Sequence, residues 1–250
     1  MPPDHFLAQL AVTFTYDNEG ARGSTEIRPT LFAPGTTMLR TGLLVAMQDL
    51  LSGYMSGEPA GPTINLRLQI LRPPPISGRF GIAVCPLRVG GRIIVGEAAF
   101  TTGDGVLFAY GVSTFIRQPA GGTTDHPTNI TMTESSFDDM LGIVVRDPVT
   151  VEFTPGPRHR NNNEAAAIQG GVQALFAELC AEYALGAGRR MTATDLDIRY
   201  LSSLRSPTLV ARAEILTTNA DGGMCSVALI DGADPQRVVS HVTLTMRYTD

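Results

Sequence analysis

Two carboxylic acids lie where acids are costly. Asp49 sits in the run 39–51 and Glu178 in the run 168–180, and both runs are otherwise almost wholly apolar. Each run reads as a helix buried on every side. A buried ionisable group is unfavourable unless it is paired or put to use. Either acid could act as a general base for water or as a nucleophile. Either could equally be tied up by a neighbouring hydroxyl or Arg. Gly170 and Gly171 open the second helix. Free backbone N–H groups there, with the helix dipole, can hold a carbonyl and the oxyanion formed when it is attacked. Glycine lets a ligand come close to the backbone, although paired glycines also permit tight helix packing. Gln169 and Asn163 can donate side-chain hydrogen bonds to a carbonyl or water, or simply cap the helix, the role preferred for Asn161 and Asn162.

The elements that must carry these groups occur twice. With a shift of 129 residues, Gly42 falls on Gly171, Asp49 on Glu178, Leu50 on Leu179 and Tyr54 on Tyr183. The predicted helices span Leu39–Tyr54 and Glu164–Leu185. After the first comes a strand whose residues Leu66–Ile70 alternate apolar and polar, ended by Pro73-Pro74-Pro75. Strands at 80–87 and 92–101 flank the turn Gly90-Gly91, and 106–116 closes the half. The stretch 118–127 is rich in Pro, Gly and Thr and reads as a linker. A short helix at 136–141, capped by Ser135 or Ser136, and a strand at 149–153 precede the second copy. There the alternating strand is Leu196–Tyr200, followed by strands at 224–230 and 238–248. These strands match the first half at a shift of 130, so one residue is gained between helix and strand. The halves are assigned to residues 1–118 and 131–250, joined by 119–130.

A helix that is apolar all round must be wrapped by sheet, and half of this chain would bury one poorly alone. The expected class is α+β: two long central helices wrapped by one continuous antiparallel β-sheet. The 250 residues are 43% hydrophobic and 17% charged, enough for a large core. A net charge of −5 speaks against nucleic acid as a partner. No run of eighteen apolar residues predicts a membrane span, and residues 1–5 lack the pattern of a signal peptide. The scattered Cys85, Cys180 and Cys225 read as reduced core residues of a cytoplasmic protein. Metal-ligating spacings, nucleotide loops and a serine-nucleophile elbow are absent from the sequence, so neither metal nor cofactor is expected.

The chain resembles the hotdog-fold acyl-CoA thioesterases of the phenylacetyl-CoA and 4-hydroxybenzoyl-CoA types, in a fused double-hotdog form. Those enzymes carry His-Gly-Gly at the start of the central helix, an Asp or Glu nine residues after the His, and often an Asn or Gln six before it. Here Asn163, Gln169-Gly170-Gly171 and Glu178 keep both spacings, with Gln in place of His. The first half keeps Gly42 and Asp49, with Arg40-Thr41 for His-Gly and Pro34 at the Asn position. The pattern Thr194, Leu196, Ile198, Tyr200-Leu201 is also similar to the family's strand after the helix.

The resemblance implies hydrolysis of an acyl-CoA thioester, with CoA entering only as part of the substrate. It implies sites shared between halves: Asn163, Gln169, Gly170 and Gly171 would face Asp49, and Arg40, Thr41 and Gly42 would face Glu178. Only the first keeps the family's loop, and Arg40 could quench the acid of the second. Leu43, Met47, Val172 and Phe176 are expected to line an acyl tunnel, and chains to associate through outer sheet faces. A non-catalytic acyl-CoA or acyl-carrier binding protein, or a hydratase or lyase on the same fold, remains an alternative. Asp195 falls near the acid of a different double-hotdog thioesterase class, but Leu196-Asp197 replaces that class's His-Ser. The runs Arg158-His159-Arg160 and Arg189-Arg190 read as solvated, and His241 as structural.

Overall fold

A computed structural model describes residues 4–57, 60–117, 134–161, 167–186 and 188–249. The predicted linker and Asn163 lie outside the described residues. The chain opens with α1 (Phe6–Gln9) and the hairpin β1 (Thr13–Asp17) and β2 (Gly20–Glu26). Helix α2 (Thr41–Ser52) is followed by β3 (Thr63–Ile70), β4 (Arg79–Val89), β5 (Ile93–Thr102) and β6 (Leu107–Ile116). The second half begins with α3 (Phe137–Leu141) and the hairpin β7 (Val144–Asp147) and β8 (Thr150–Phe153). Helix α4 (Gly170–Gly186) then precedes β9 (Met191–Tyr200), β10 (Leu209–Asn219), β11 (Gly222–Asp231) and β12 (Asp234–Tyr248).

All twelve strands form one antiparallel sheet in the order β1-β2-β4-β5-β6-β3-β9-β12-β11-β10-β8-β7. The order reads the same from both edges: a hairpin, three strands, then the strand that follows the helix. The seam is β3 against β9, where Leu66 pairs with Ile198 and Leu68 with Leu196. All four are wholly buried, so the alternation read from the sequence faces inward on both sides of the seam.

The inner face of the sheet packs on α2 and α4. In α2 only Asp49 and Leu50 are partly exposed, and in α4 residues 171–181 are buried without interruption. The helices meet at two small-residue contacts. A Cβ on Gly42 would lie 2.5 Å from Leu175 Cα, and one on Gly171 2.2 Å from Ala46 Cβ. Only glycine permits these crossings. Both helices start later than the sequence predicts. Leu39 bridges Phe32, and Ile168 bridges Arg160, so extended pairing holds the chain before each helix. Ser136 caps α3 by accepting from the Asp139 amide at 3.1 Å. The strand read at 149–153 is β8, whereas the hairpin β1–β2, strands β7 and β10 and helix α1 carried too weak a periodicity to be read from the sequence. Among the described residues no helix is long and apolar enough to cross a membrane.

Candidate active site

Asp49 stands near the end of α2, where the helix approaches the start of α4. Its Oδ1 accepts from Thr63 Oγ1 at 2.8 Å, from the first residue of β3. Burial pushes its carboxyl up to about 6, and the Thr63 bond pulls back part of that rise. The facing residue is Gly170. A Cβ there would lie 2.6 Å from Asp49 Oδ2 and 2.6 Å from the hydroxyl of Tyr200, the last residue of β9. That hydroxyl is buried and, among the described residues, has no hydrogen-bond partner. Its pKa lies well above the usual tyrosine value, first through burial and then through the charge of Asp49.

Gln169, just before Gly170, is 1% exposed. Its Nε2 lies 2.9 Å from Nε2 of His5, itself 1% exposed. The same imidazole nitrogen lies 2.9 Å from the Arg160 carbonyl. One ring nitrogen cannot both donate to that carbonyl and accept from an amide N–H. Burial lowers the pKa of His5, so the ring is neutral near pH 7. The proton therefore sits on Nε2, donated to the Arg160 carbonyl, and the Gln169 amide oxygen is the atom that faces the ring. The amide oxygen otherwise has no partner. Turned this way, Gln169 presents an unpaired NH2 group.

The start of α2 is closed by comparison. Glu178 is wholly buried, and its Oε2 accepts from the Gly42 amide at 2.6 Å. Its Oε1 accepts from the Thr41 amide at 3.3 Å and the Ala193 amide at 3.5 Å. Arg40, 2% exposed, reaches Glu182 at 2.6 Å through Nη1 and grips Asp138 with Nε and Nη2 at 3.2 and 2.5 Å. Burial alone would lower the pKa of Arg40, but Glu178, Asp138 and Glu182 outweigh it, so the guanidinium stays charged. Burial raises the Glu178 pKa, opposed by Arg40 and the Gly42 amide and reinforced by Glu182 and Asp138.

Asp49, Gln169, Gly170 and Gly171 thus come together at one helix start, and Glu178, Arg40, Thr41 and Gly42 at the other. Among the described residues Asp49 takes its hydrogen bond from Thr63 and not from the α4 amides. An acid raised to about 6 is largely ionised at neutral pH and, beside a helix start, can accept a proton from water next to an oxyanion. Leu43, Met47, Val172 and Phe176 are all core residues, with Phe176 packed 5.4 Å from Phe153. Among the described residues no cluster of His, Cys, Asp and Glu could hold a metal ion.

The sequence missed Thr63, Tyr200, His5, Asp138 and Glu182 as site neighbours. It did place Tyr200 in register with Leu196 and Ile198, whose inward alternation is the signal that could have found it. One expectation needs correction. The run 158–160 is not simply solvated: His159 is 3% exposed and lies 3.1 Å from the Met140 carbonyl, while Arg158 Nη2 donates to the same carbonyl at 2.8 Å. Arg189 and Arg190 are exposed, as read from the sequence, with Arg189 3.5 Å over the Tyr248 ring. Asp195 lies away from both helix starts and is held at 2.8 Å by Arg67 and 2.7 Å by Gln69. His241 Nε2 lies 2.9 Å from Ser226 Oγ.

No family model matches the sequence, and no curated protein matches it. Solved structures do. The TesB protein of Mycobacterium avium subsp. paratuberculosis superposes with a TM-score of 0.67 at 14% identity, over 98% of each chain. A protein described as an oleoyl thioesterase from Lactobacillus plantarum gives 0.65 at 14% identity, over 92% of this chain and 96% of its own. A protein of unknown function with a hot dog fold from Alicyclobacillus acidocaldarius gives 0.61 at 11% identity, over 98% of each. At these identities the likeness is one of architecture, and the architecture of this chain is the hotdog fold, present twice.

Proposed function

We propose that the protein hydrolyses an acyl-CoA thioester to the free acid and CoA, at one site built across its halves. Residues 1–118 and 131–250 would each be a hotdog half, with α2 and α4 as the paired central helices. Asp49 removes a proton from water, and the water oxygen attacks the thioester carbon. The oxyanion is held by the Gly171 amide with help from Gln169, which His5 orients. Collapse breaks the carbon–sulfur bond, and the proton on Asp49 passes to the departing sulfur. No cofactor is needed beyond the CoA of the substrate.

The observation that carries this reading is the unequal fate of two equivalent acids. Glu178 is consumed by the amides of Thr41 and Gly42. Among the described residues Asp49 takes its hydrogen bond from Thr63 and none from the α4 amides, and burial raises its pKa to about 6. Arg40, Thr41, Gly42 and Glu178 are accordingly structural in this proposal, while Gly170 and Gly171 bind substrate. The description of the Lactobacillus structure as an oleoyl thioesterase agrees with it.

The test is release of free CoA, followed with a thiol reagent across a panel of short, long and aromatic acyl-CoA substrates. Turnover of any member supports hydrolysis. Binding without release would instead identify a non-catalytic acyl-CoA binding protein, the reading that the loss of the usual His at Gln169 favours. Addition of water to an enoyl-CoA would identify a hydratase.

A further inference from the structure

Among the described residues the buried Tyr200 hydroxyl has no hydrogen-bond partner, and it stands beside Gly170. A buried hydroxyl without a partner is unfavourable and calls for a bound group. The Tyr200 hydroxyl and Asp49 Oδ2 are each 2.6 Å from the point a Gly170 Cβ would occupy. They are therefore no more than twice that distance apart, yet they are not bonded to each other. Two oxygens that close can share one water molecule with a hydrogen bond to each. The position 130 residues earlier is Ile70, so the other helix start has no such hydroxyl.

We infer that Tyr200 is a catalytic residue that holds the attacking water for Asp49. The inference rests on the hydrolase reading above. The phenol O–H donates to the water oxygen, one water proton points at Asp49 Oδ2, and the remaining lone pair faces the thioester carbon. Asp49 takes that proton as the new carbon–oxygen bond forms. The phenol keeps its own proton throughout. Its raised pKa agrees with this role, because the group stays a donor at any working pH. A methyl group on Gly170 would crowd both of the oxygens that hold the water.

The experiment compares wild type, Tyr200→Phe, Asp49→Asn and the double variant in kcat, KM and thermal midpoint, with the best thioester of the panel. Loss of water positioning lowers kcat about tenfold to a hundredfold with KM little changed. Removing an unpaired hydroxyl leaves the midpoint equal or higher. The double variant is no slower than Asp49→Asn alone, because both residues act on the same water. A crystal structure of the wild type would show that water within hydrogen-bond distance of both groups. Full activity in Tyr200→Phe overturns the inference while the hydrolase reading stands. A matched fall in midpoint and rate, with additive loss in the double variant, makes Tyr200 structural and also overturns it. If the wild type releases CoA from no thioester, the hydrolase reading fails, and this inference falls with it.

Discussion

At the start of α2, the amides of Thr41 and Gly42 bind Glu178, and the Arg40 guanidinium beside them binds Asp138 and Glu182. At the start of α4, 129 residues on, Asp49 turns to Thr63 and, among the described residues, takes no hydrogen bond from the helix amides. Gln169 stands where the first half has Arg40. Glu178 is one methylene longer than Asp49 and reaches the opposite helix directly. The residue that anchors the acid differs too: Thr63 on β3 corresponds to Ala193 on β9, which has no hydroxyl to offer. The surroundings follow suit. Tyr54 is 6% exposed beneath Phe14 and Tyr16, whereas its counterpart Tyr183 is 46% exposed. A duplicated scaffold needs only one working pair of acid and helix start. The other start is free to become an internal ion cluster that holds the halves together.

The largest expected effect breaks that cluster. Arg40→Met leaves the partly buried Asp138 and Glu182 without their cation beside the buried Glu178, which should destabilise the fold by about 2–4 kcal/mol. Urea unfolding would read this as a lower midpoint with an unchanged slope. An unchanged midpoint would mean that the cluster is not a lock.

Glycine substitutions sharpen the contrast. Gly42→Ala meets the backbone of Leu175, so it should cost roughly 1–3 kcal/mol of stability. Gly170→Ala meets only the ends of the Asp49 and Tyr200 side chains. It should keep its thermal midpoint within a few degrees and lose turnover by roughly a hundredfold. Equal effects of the two substitutions on both readouts would erase the distinction.

The pH dependence separates the acids next. Turnover should rise as pH passes through about 6, where Asp49 loses its proton, and this limb should vanish in Asp49→Asn. The stability effect has the opposite sign. The folded value lies above the ordinary 3.8, so the native state binds the proton more tightly. The stabilising contribution is present below about 3.8 and is lost as pH rises through about 6. Asp49→Asn should therefore be more stable than wild type at pH 7, by roughly 1–2 kcal/mol after allowance for the partial exposure of the group. A less stable Asp49→Asn would show that the charge is fully compensated.

The smallest effect is expected at Asp195, whose partner Arg67 has a half-exposed side chain. Asp195→Asn should leave turnover unchanged and stability within about 0.5 kcal/mol. A large loss of turnover would move the chemistry to the β3–β9 seam.

Much of this was legible in the residues themselves. The all-round apolar helices, the repeat of Gly42 and Asp49 in Gly171 and Glu178, and the inward alternation at Leu66–Ile70 and Leu196–Tyr200 are local signals that burial leaves in a sequence. The ends of the helices were not legible, because bridges from Phe32 to Leu39 and from Arg160 to Ile168 override propensity there. His5, Thr63, Asp138 and Glu182 were not legible either. Each meets its partner across 14 to 164 residues of chain, or across the seam between halves, and no short spacing records that. Tyr200 lay between these cases: its inward direction could be read, but its lack of a partner could not.

The account turns on the two acids, and one comparison tests it most directly: kcat of Asp49→Asn against kcat of Glu178→Gln, on the same thioester and with both variants shown to be folded by circular dichroism. Asp49→Asn should lose roughly a hundredfold or more, as removal of an essential base does, while Glu178→Gln should stay within a few-fold of wild type. An inactive Glu178→Gln beside an active Asp49→Asn would contradict the account.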